Sequence, residues 1–267
     1  MAQNATVLLS VKDLVCGYGK KRTTEIVHGV SFDIDAGEFT CIIGANGCGK
    51  TTTLKALMGL IPAWSGSVNL EGENIAGMPE RELAKHFAYI PQAHTPPFPF
   101  SVADVVLMGR TPYINKLAQV TSHDKEVAYQ SLSMLGIEHL ASQAYTNLSG
   151  GQQQLVLIAR ALTQQSDILV MDEPTAALDF GNQHLVLSRM KMLSEMGKAV
   201  IMVTHDPDHA LYCSGRVIVM EDGLVVMDGT TQECITSEVL NKIYGLDARV
   251  IEVEVEPGRT ERVCLAI

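Results

Sequence analysis

The sequence predicts an α/β fold built on a phosphate-binding strand, loop and helix. Three observations carry this. An apolar run, Phe39–Ile43, leads into the glycine-rich turn GANGCGKT and then a helix with Leu54, Leu57 and Met58 on one face. Two further apolar runs, ILVMD at 168–172 and AVIMV at 199–203, read as core strands that end in polar residues. Alternating stretches at 7–15 and 26–39 predict a small antiparallel sheet leading into the phosphate-loop strand.

The turn fits G-x-x-x-x-G-K-[ST] over 44–51. Backbone N–H groups of such a turn, with the positive end of the helix that follows, converge on a polyanion. Gly44, Gly47 and Gly49 let the backbone approach phosphate without a Cβ in the way. Lys50 would neutralise β/γ charge, the Thr51 hydroxyl would ligate Mg²⁺, and Ala45, Asn46, Cys48 and Thr52 complete the loop. An ordinary glycine-rich turn is the bland alternative. The position between strand and helix favours phosphate.

At 267 residues, 46% of them apolar, the chain can bury a sizeable core. A formal net charge of −10 argues against a dedicated nucleic-acid binder, which would show a basic face. It does not argue against ATP, because local lysines and backbone dipoles bind phosphate on an acidic protein. The six cysteines form no C-x-x-C pair, so they read as reduced packing thiols in a cytosolic protein. A redox role for Cys48, inside the loop, is the lesser alternative. No basic segment precedes a long apolar stretch at the N-terminus, and no apolar run reaches the length of a membrane span, so a soluble chain is expected.

After the first helix, Pro62 and WSGS mark its end, and SVNLEGENI reads as a strand, a turn and an edge. Residues 79–86 suit a helix and HFAYIPQ a short strand ending at Pro91-Gln92. Residues 93–147 then change character. HTPPFPF is too irregular for core, and Ser101-x-x-Asp104 resembles a capping box opening VADVVLMG. A helix over roughly 122–135, with Ala128, Leu132 and Leu135 on one face, ends near Gly136. This region reads as an inserted helical subdomain. Phe98 and Phe100 form either a docking surface or a loop folded back on itself.

LSGGQQQLVLIARAL follows at 148–162, with Leu155, Ile158, Ala159 and Leu162 as a helical stripe. The glycines before this helix leave a second N-terminus of bare N–H groups, a second potential anion site. A glycine-rich cap without a ligand is the alternative. ILVMDEP ends in two carboxylates where open α/β sheets place ligands. Asp172 is placed to hold Mg²⁺ through its water shell, and Glu173 to polarise an attacking water. His205 ends the strand KAVIMVTHD, where a phosphate contact competes with an ordinary structural histidine. Tyr18, in the turn CGYG, reads by itself as a turn aromatic, and Gln92 as a surface amide. RVIVMEDGLVVMDG at 216–229 predicts a hairpin turning at Asp222-Gly223. In the tail, Ile251, Val253 and Val255 alternate with Glu252, Glu254 and Glu256 before Pro257-Gly258 turns the chain back, the acidic face being solvated.

These motifs, in this order, resemble the ATP-binding subunit of an ABC transporter over nearly the whole chain. GANGCGKT looks like Walker A, ILVMDE like Walker B plus its catalytic glutamate, and LSGGQ like the family's signature. Gln92 falls at the Q-loop, Asp179 at the D-loop, His205 at the H-loop, and Tyr18 at the aromatic that stacks on adenine. The combination of LSGGQ just before Walker B is far more specific than a phosphate loop alone. The resemblance implies one ABC ATPase domain. Its P-loop NTPase core and antiparallel β subdomain would take 6–92 and 148–245, its helical subdomain 93–147, and a C-terminal β-hairpin 246–267.

It implies ATP and Mg²⁺ as cofactors and a head-to-tail homodimer, each ATP lying between Walker A of one copy and Ser149, Gly150, Gly151 and Gln152 of the other. Glu173 would be the general base, His205 would hold the γ-phosphate, and Gln92 would sense Mg²⁺ and water beside Thr51 and Asp172. It also implies separate membrane permease chains met through 93–147, a solute-binding protein reached indirectly, and a peripheral place on the cytoplasmic face of the membrane. VADVVLMGRTPYI and YGLDARVIEVEV are similar to the class importing iron–siderophores, haem or cobalamin, and some relatives carry molybdate. Ser214-Gly215-Arg216 departs from the family, which often has an Asp before the Arg, and Cys48 replaces a more usual small residue. The competing readings are a non-transport ABC ATPase and a non-catalytic nucleotide-dependent scaffold. The absence of a coiled-coil insertion or a second ATPase set weighs against the first, and intact Lys50, Asp172, Glu173 and His205 against the second.

Overall fold

A computed structural model describes residues 7–19, 21–92, 99–114 and 119–267. In chain order, β1 (Val7–Tyr18), β2 (Thr24–Asp35) and β3 (Phe39–Ile43) precede α1 (Lys50–Leu57). Then come β4 (Ser65–Leu70), β5 (Glu73–Asn74), α2 (Glu80–His86), β6 (Phe87–Ile90), α3 (Val102–Leu107) and α4 (Ser122–Met134). α5 (Gly150–Thr163), β7 (Ile168–Asp172), α6 (Phe180–Glu195), β8 (Ala199–Val203) and α7 (Pro207–Cys213) follow. The chain closes with β9 (Arg216–Glu221), β10 (Leu224–Thr230), α8 (Thr231–Cys234), α9 (Ser237–Tyr244), β11 (Ala248–Glu256) and β12 (Arg259–Ala266). Two compact units share it: 1–77 with 201–267, and 78–200.

In the first unit, β2-β1-β4-β5 form the antiparallel sheet foreseen from the alternating stretches. β1 runs three residues past the expected strand, to Tyr18, because Gly17 pairs with Glu25 and Tyr18 with Thr24. In the other sheet, β3 lies parallel to β9, with Cys41 opposite Val217 and Ile43 opposite Val219. All five residues of β3 are buried, as a strand covered on both faces requires. β9 and β10 meet through Asp222 and Gly223, at φ 46° and 76°, the pair of positive angles that a tight two-residue hairpin needs. α1 stops at Leu57, well before Pro62, with Gly59 left-handed at φ 69°. β11 and β12 pair antiparallel from Ala248–Ala266 to Glu254–Thr260, with a register shift before Glu256–Arg259. The tail's glutamates are exposed as expected, but so are Ile251, Val253 and Val255 on the opposite face.

Arg216, which Gly215 rather than an Asp precedes, is held by a carboxylate further along the chain. Its guanidinium donates from Nε and Nη2 to the two carboxylate oxygens of Asp228, both at 2.7 Å, and from Nη1 to the Asp33 carbonyl at 2.8 Å. Glu38 adds a contact at 3.2 Å. The carboxylate comes from the neighbouring strand rather than from the preceding residue.

In the second unit, β6 and β7 run parallel, Phe87 opposite Ile168 and Ile90 opposite Met171. α3, α4 and α5 pack together, burying Val102, Val105, Val106, Leu132, Leu135 and a fully enclosed Tyr145; each such side chain contributes roughly 1.5–3 kcal/mol. Ser101 caps α3, accepting from the Asp104 amide at 3.1 Å, and Gly136, at φ 69°, ends α4. α4 opens on a full capping box, Thr121 with Asp124. Asp124 has a second task. It pairs with buried Arg110 at 3.0 Å, which also donates to Gln165 at 2.9 Å and stacks over Tyr113 at 4.2 Å. Hydrogen bonds from Thr121 and then from Arg110 hold the Asp124 carboxyl down to about 2.

α6, at 16 residues, went unassigned in the sequence. Its buried residues, Val186, Leu187 and Met190, are too few among polar neighbours to make a stripe. α7, α8 and α9, at seven, four and eight residues, are too short for a periodic pattern to mark them as helices.

Candidate functional site

The phosphate loop is built in the first unit. Gly44 leaves β3 at φ 153°, where a Cβ would sit 2.2 Å from the Met220 carbonyl and 2.8 Å from Cys48 Sγ. No other residue fits there. α1 starts from left-handed Gly49, with no side-chain cap and no acidic residue in its first turn. No acidic side chain of that turn cancels the helix dipole. Lys50 is buried and folds back along the loop, donating from Nζ to the Gly44 carbonyl at 2.7 Å and the Ala45 carbonyl at 2.9 Å. Those two oxygens stabilise a buried ammonium beside the turn. Burial pushes the Cys48 thiol up, opposed by Lys50.

Gly223 holds the loop from the other side. Its amide donates to the Cys48 carbonyl at 3.0 Å, and its own carbonyl accepts from the His28 amide at 2.9 Å. The sequence marked Gly223 only as a turn residue. Nothing local connects it to a loop about 175 positions away in the chain. Tyr18 is 43% exposed and its hydroxyl meets Thr52 Oγ1 at 3.3 Å. The ring therefore lies beside the first turn of α1, which the turn-aromatic reading missed. His205 is exposed just past β8, and Thr204 before it is buried.

The second unit holds the carboxylates. β7 is buried throughout and delivers Asp172 at its end, itself buried, with the Tyr89 hydroxyl 3.5 Å from Oδ2. Glu173 is half-buried at φ 49°, an uncommon angle for a non-glycine residue and one that clusters at functional sites. Gln92 Nε2 donates to Glu173 Oε2 at 2.8 Å, and Gln154 donates to the Pro91 carbonyl at 3.4 Å. The structure thus brings Gln92 and Glu173 together. Tyr89 was not foreseen; its only signal was its place in the strand leading to Gln92.

Asp179 caps α6, accepting from the Asn182 amide and side chain, both at 2.9 Å. Ser149 and Gln152 form a capping box on α5, the Ser149 hydroxyl accepting from the Gln152 amide at 3.3 Å and Gln152 Oε1 from the Ser149 amide at 3.1 Å. The serine, rather than the glycines, is the cap. Ser149 and Gly150 are exposed, and the hydroxyl still has a proton to donate. Phe98 lies outside the described residues; Phe100 is 38% exposed. Among the described residues no helix is long and apolar enough to cross a membrane.

The ABC transporter family model matches residues 27–176. An uncharacterised ABC transporter ATP-binding protein of Haemophilus influenzae is 40% identical, over 91% of each chain. The iron(3+)-hydroxamate import ATP-binding protein of Bacillus subtilis is 34% identical, over 96% of this chain and 94% of that one. A molybdate import ATP-binding protein of Haemophilus influenzae is 35% identical, over 89% and 88%. Among solved structures, a chain of an inward-facing metal-chelate-type ABC transporter superposes with a TM-score of 0.84 at 31% identity, covering 98% of each chain. With phosphate loop, carboxylate pair and signature helix in the family's order, the chain belongs to the ABC transporter family, as an ATP-binding subunit that hydrolyses ATP.

Proposed function

We propose that this subunit powers an importer for an iron–siderophore, haem, cobalamin or related metal compound. The observation that carries the reading is likeness along almost the full length to an iron(3+)-hydroxamate import subunit and to a metal-chelate-type transporter. The near-equal likeness to a molybdate import subunit supports a second reading, molybdate as the solute. Disrupting the gene and measuring uptake of radiolabelled ferric hydroxamate, haem, cobalamin and molybdate separates them. Loss of molybdate uptake alone would overturn the first reading. Unchanged uptake of all four would favour a non-transport ATPase.

The site residues take these roles. Tyr18 stacks on adenine, and 44–52 wrap the phosphates, with Lys50 on the β- and γ-groups. Thr51, Asp172 and Gln92 would hold Mg²⁺, and they suit it: hydroxyl, carboxylate and amide oxygens are hard donors, and Asp172 is a buried carboxylate at a strand end. The ion would supply charge neutralisation on the phosphates. Glu173 accepts a proton from the attacking water, Gln92 orients that carboxylate, and His205 donates to the γ-phosphate. Ser149, Gly150, Gly151 and Gln152 serve the ATP held by a second copy, which gives the exposed N-terminus of α5 a ligand; Asp179 borders the same interface. Light scattering of Glu173→Gln with ATP and Mg²⁺ tests this, and a species that stays monomeric would refute the shared site.

The division into a core at 6–92 and 148–245, a helical subdomain at 93–147 and a hairpin at 246–267 belongs to the same reading. So does permease docking through 93–147, on the cytoplasmic face of the membrane, with the solute-binding protein acting through the permease. Exposed Phe100, Met108 and Tyr113 support the docking face. Phe100→Asp is expected to keep basal ATPase activity and lose co-purification with the permease.

A further inference from the structure

Phe180 opens α6 directly after Asp179, and at 88% exposure it is the most exposed large apolar side chain among the described residues. A single open side chain would mean little. This one has company. Ala176, Ala177 and Gly181 are exposed beside it in the chain. Asp179 is the one charged residue between Pro174 and Asn182, and its two carboxylate oxygens accept from the amide and side chain of Asn182, both at 2.9 Å. Its charge is engaged on its own helix, so the stretch presents an apolar, charge-poor surface around an aromatic ring.

That surface is held in one shape. The Leu178 amide donates to the Thr175 carbonyl at 3.0 Å, and Gln183 Nε2 donates to the Thr175 and Leu178 carbonyls at 3.3 and 3.2 Å. It is also continuous with the signature helix. A Cβ on Gly151 would sit 3.3 Å from the Ala177 carbonyl and 3.7 Å from Leu178 Cδ2, so the first turn of α5 lies against the segment that leads to Phe180. Interfaces concentrate their binding energy in aromatic anchors set in charge-poor, preorganised surface.

We propose that Phe180 is an apolar anchor for a second copy of this chain, so that the contact between copies extends beyond the nucleotide they share. The occupant is a second copy because the surface continues the one that Ser149 and Gly150 turn to the other copy's ATP. This rests on the shared-site reading above. Light scattering of Glu173→Gln with ATP and Mg²⁺, across protein concentrations, gives the Kd of the dimer. Adding Phe180→Ala is expected to raise that Kd roughly 30-fold or more, since a two-fold pair loses the ring twice. Phe180→Leu should recover most of the loss. With Glu173 intact, Phe180→Ala should lower ATPase activity at low protein concentration and regain it at high concentration. The melting temperature, and the calorimetric affinity for ADP with Mg²⁺, should keep their wild-type values. A dimer Kd untouched by Phe180→Ala, in a Glu173→Gln protein that still dimerises, would overturn the proposal. So would a lower melting temperature or ADP affinity, which would make the ring part of the fold or of the nucleotide pocket. A Glu173→Gln protein that never dimerises would sink the shared-site reading itself, and the anchor with it.

Discussion

Gln92 donates its side-chain amide to Glu173 at 2.8 Å, and Glu173 holds a left-handed backbone angle of 49° at the end of a fully buried strand. The amide holds one oxygen of the Glu173 carboxylate in place. Glu173→Gln is expected to lower kcat for ATP by about 100-fold or more, the usual worth of a general base, with ATP affinity retained. Gln92→Ala keeps the carboxylate and loses its orientation, so a fall of roughly 10-fold is expected. Single-turnover phosphate release checks both, and a Glu173→Gln protein with wild-type turnover would remove the carboxylate from the mechanism.

Lys50 is the cation of the phosphate loop, and two backbone carbonyls already orient its ammonium. Lys50→Ala is expected to weaken ATP binding by about 100-fold, the scale of one charged hydrogen bond to phosphate. Folding should be nearly untouched. Gly44→Ala should act differently, because the added methyl meets the Met220 carbonyl at 2.2 Å. It should lose about 1–3 kcal/mol of stability together with nucleotide binding. Urea denaturation alongside calorimetry distinguishes the two.

The Arg110–Asp124 pair makes a pH prediction. Asp124 titrates at about 2 in the folded chain against 3.8 ordinarily. A carboxyl lowered on folding stabilises above its unfolded value, and that contribution is lost as pH falls through the folded one. The stability advantage of wild type over Asp124→Asn should be constant above about pH 5 and shrink as the pH drops toward 2. At neutral pH, Asp124→Ala should cost about 2–3 kcal/mol, since it leaves a buried guanidinium short of a partner. Denaturant midpoints across pH measure this; an advantage that grew on acidification would contradict it.

Arg216 grips Asp228 with two parallel bonds at 2.7 Å. A lysine cannot reproduce that fork. Arg216→Lys is expected to lose about 1 kcal/mol, a modest figure because the pair is partly open to solvent. Thermal melts of Arg216→Lys and Asp228→Asn, singly and together, should show non-additive losses.

The sequence by itself determined the phosphate loop, both carboxylates, the signature helix and most strands. Each is written in residues close along the chain: the Gly-Lys-Thr turn after Phe39–Ile43, the carboxylates at the end of the run that opens at Ile168, the helical stripe after LSGGQ. Local periodicity and backbone chemistry suffice for such features. Tertiary structure decided what depends on contacts between distant residues. Tyr18 became a neighbour of Thr52, and Gln92 of Glu173. Gly223 became a strap on Cys48. Asp228 came to hold Arg216, 12 positions earlier in the chain. α6 stayed hidden because its buried face is narrow, so packing rather than pattern holds it in place. A sequence records which groups can make a bond; the path of the backbone settles which of them meet.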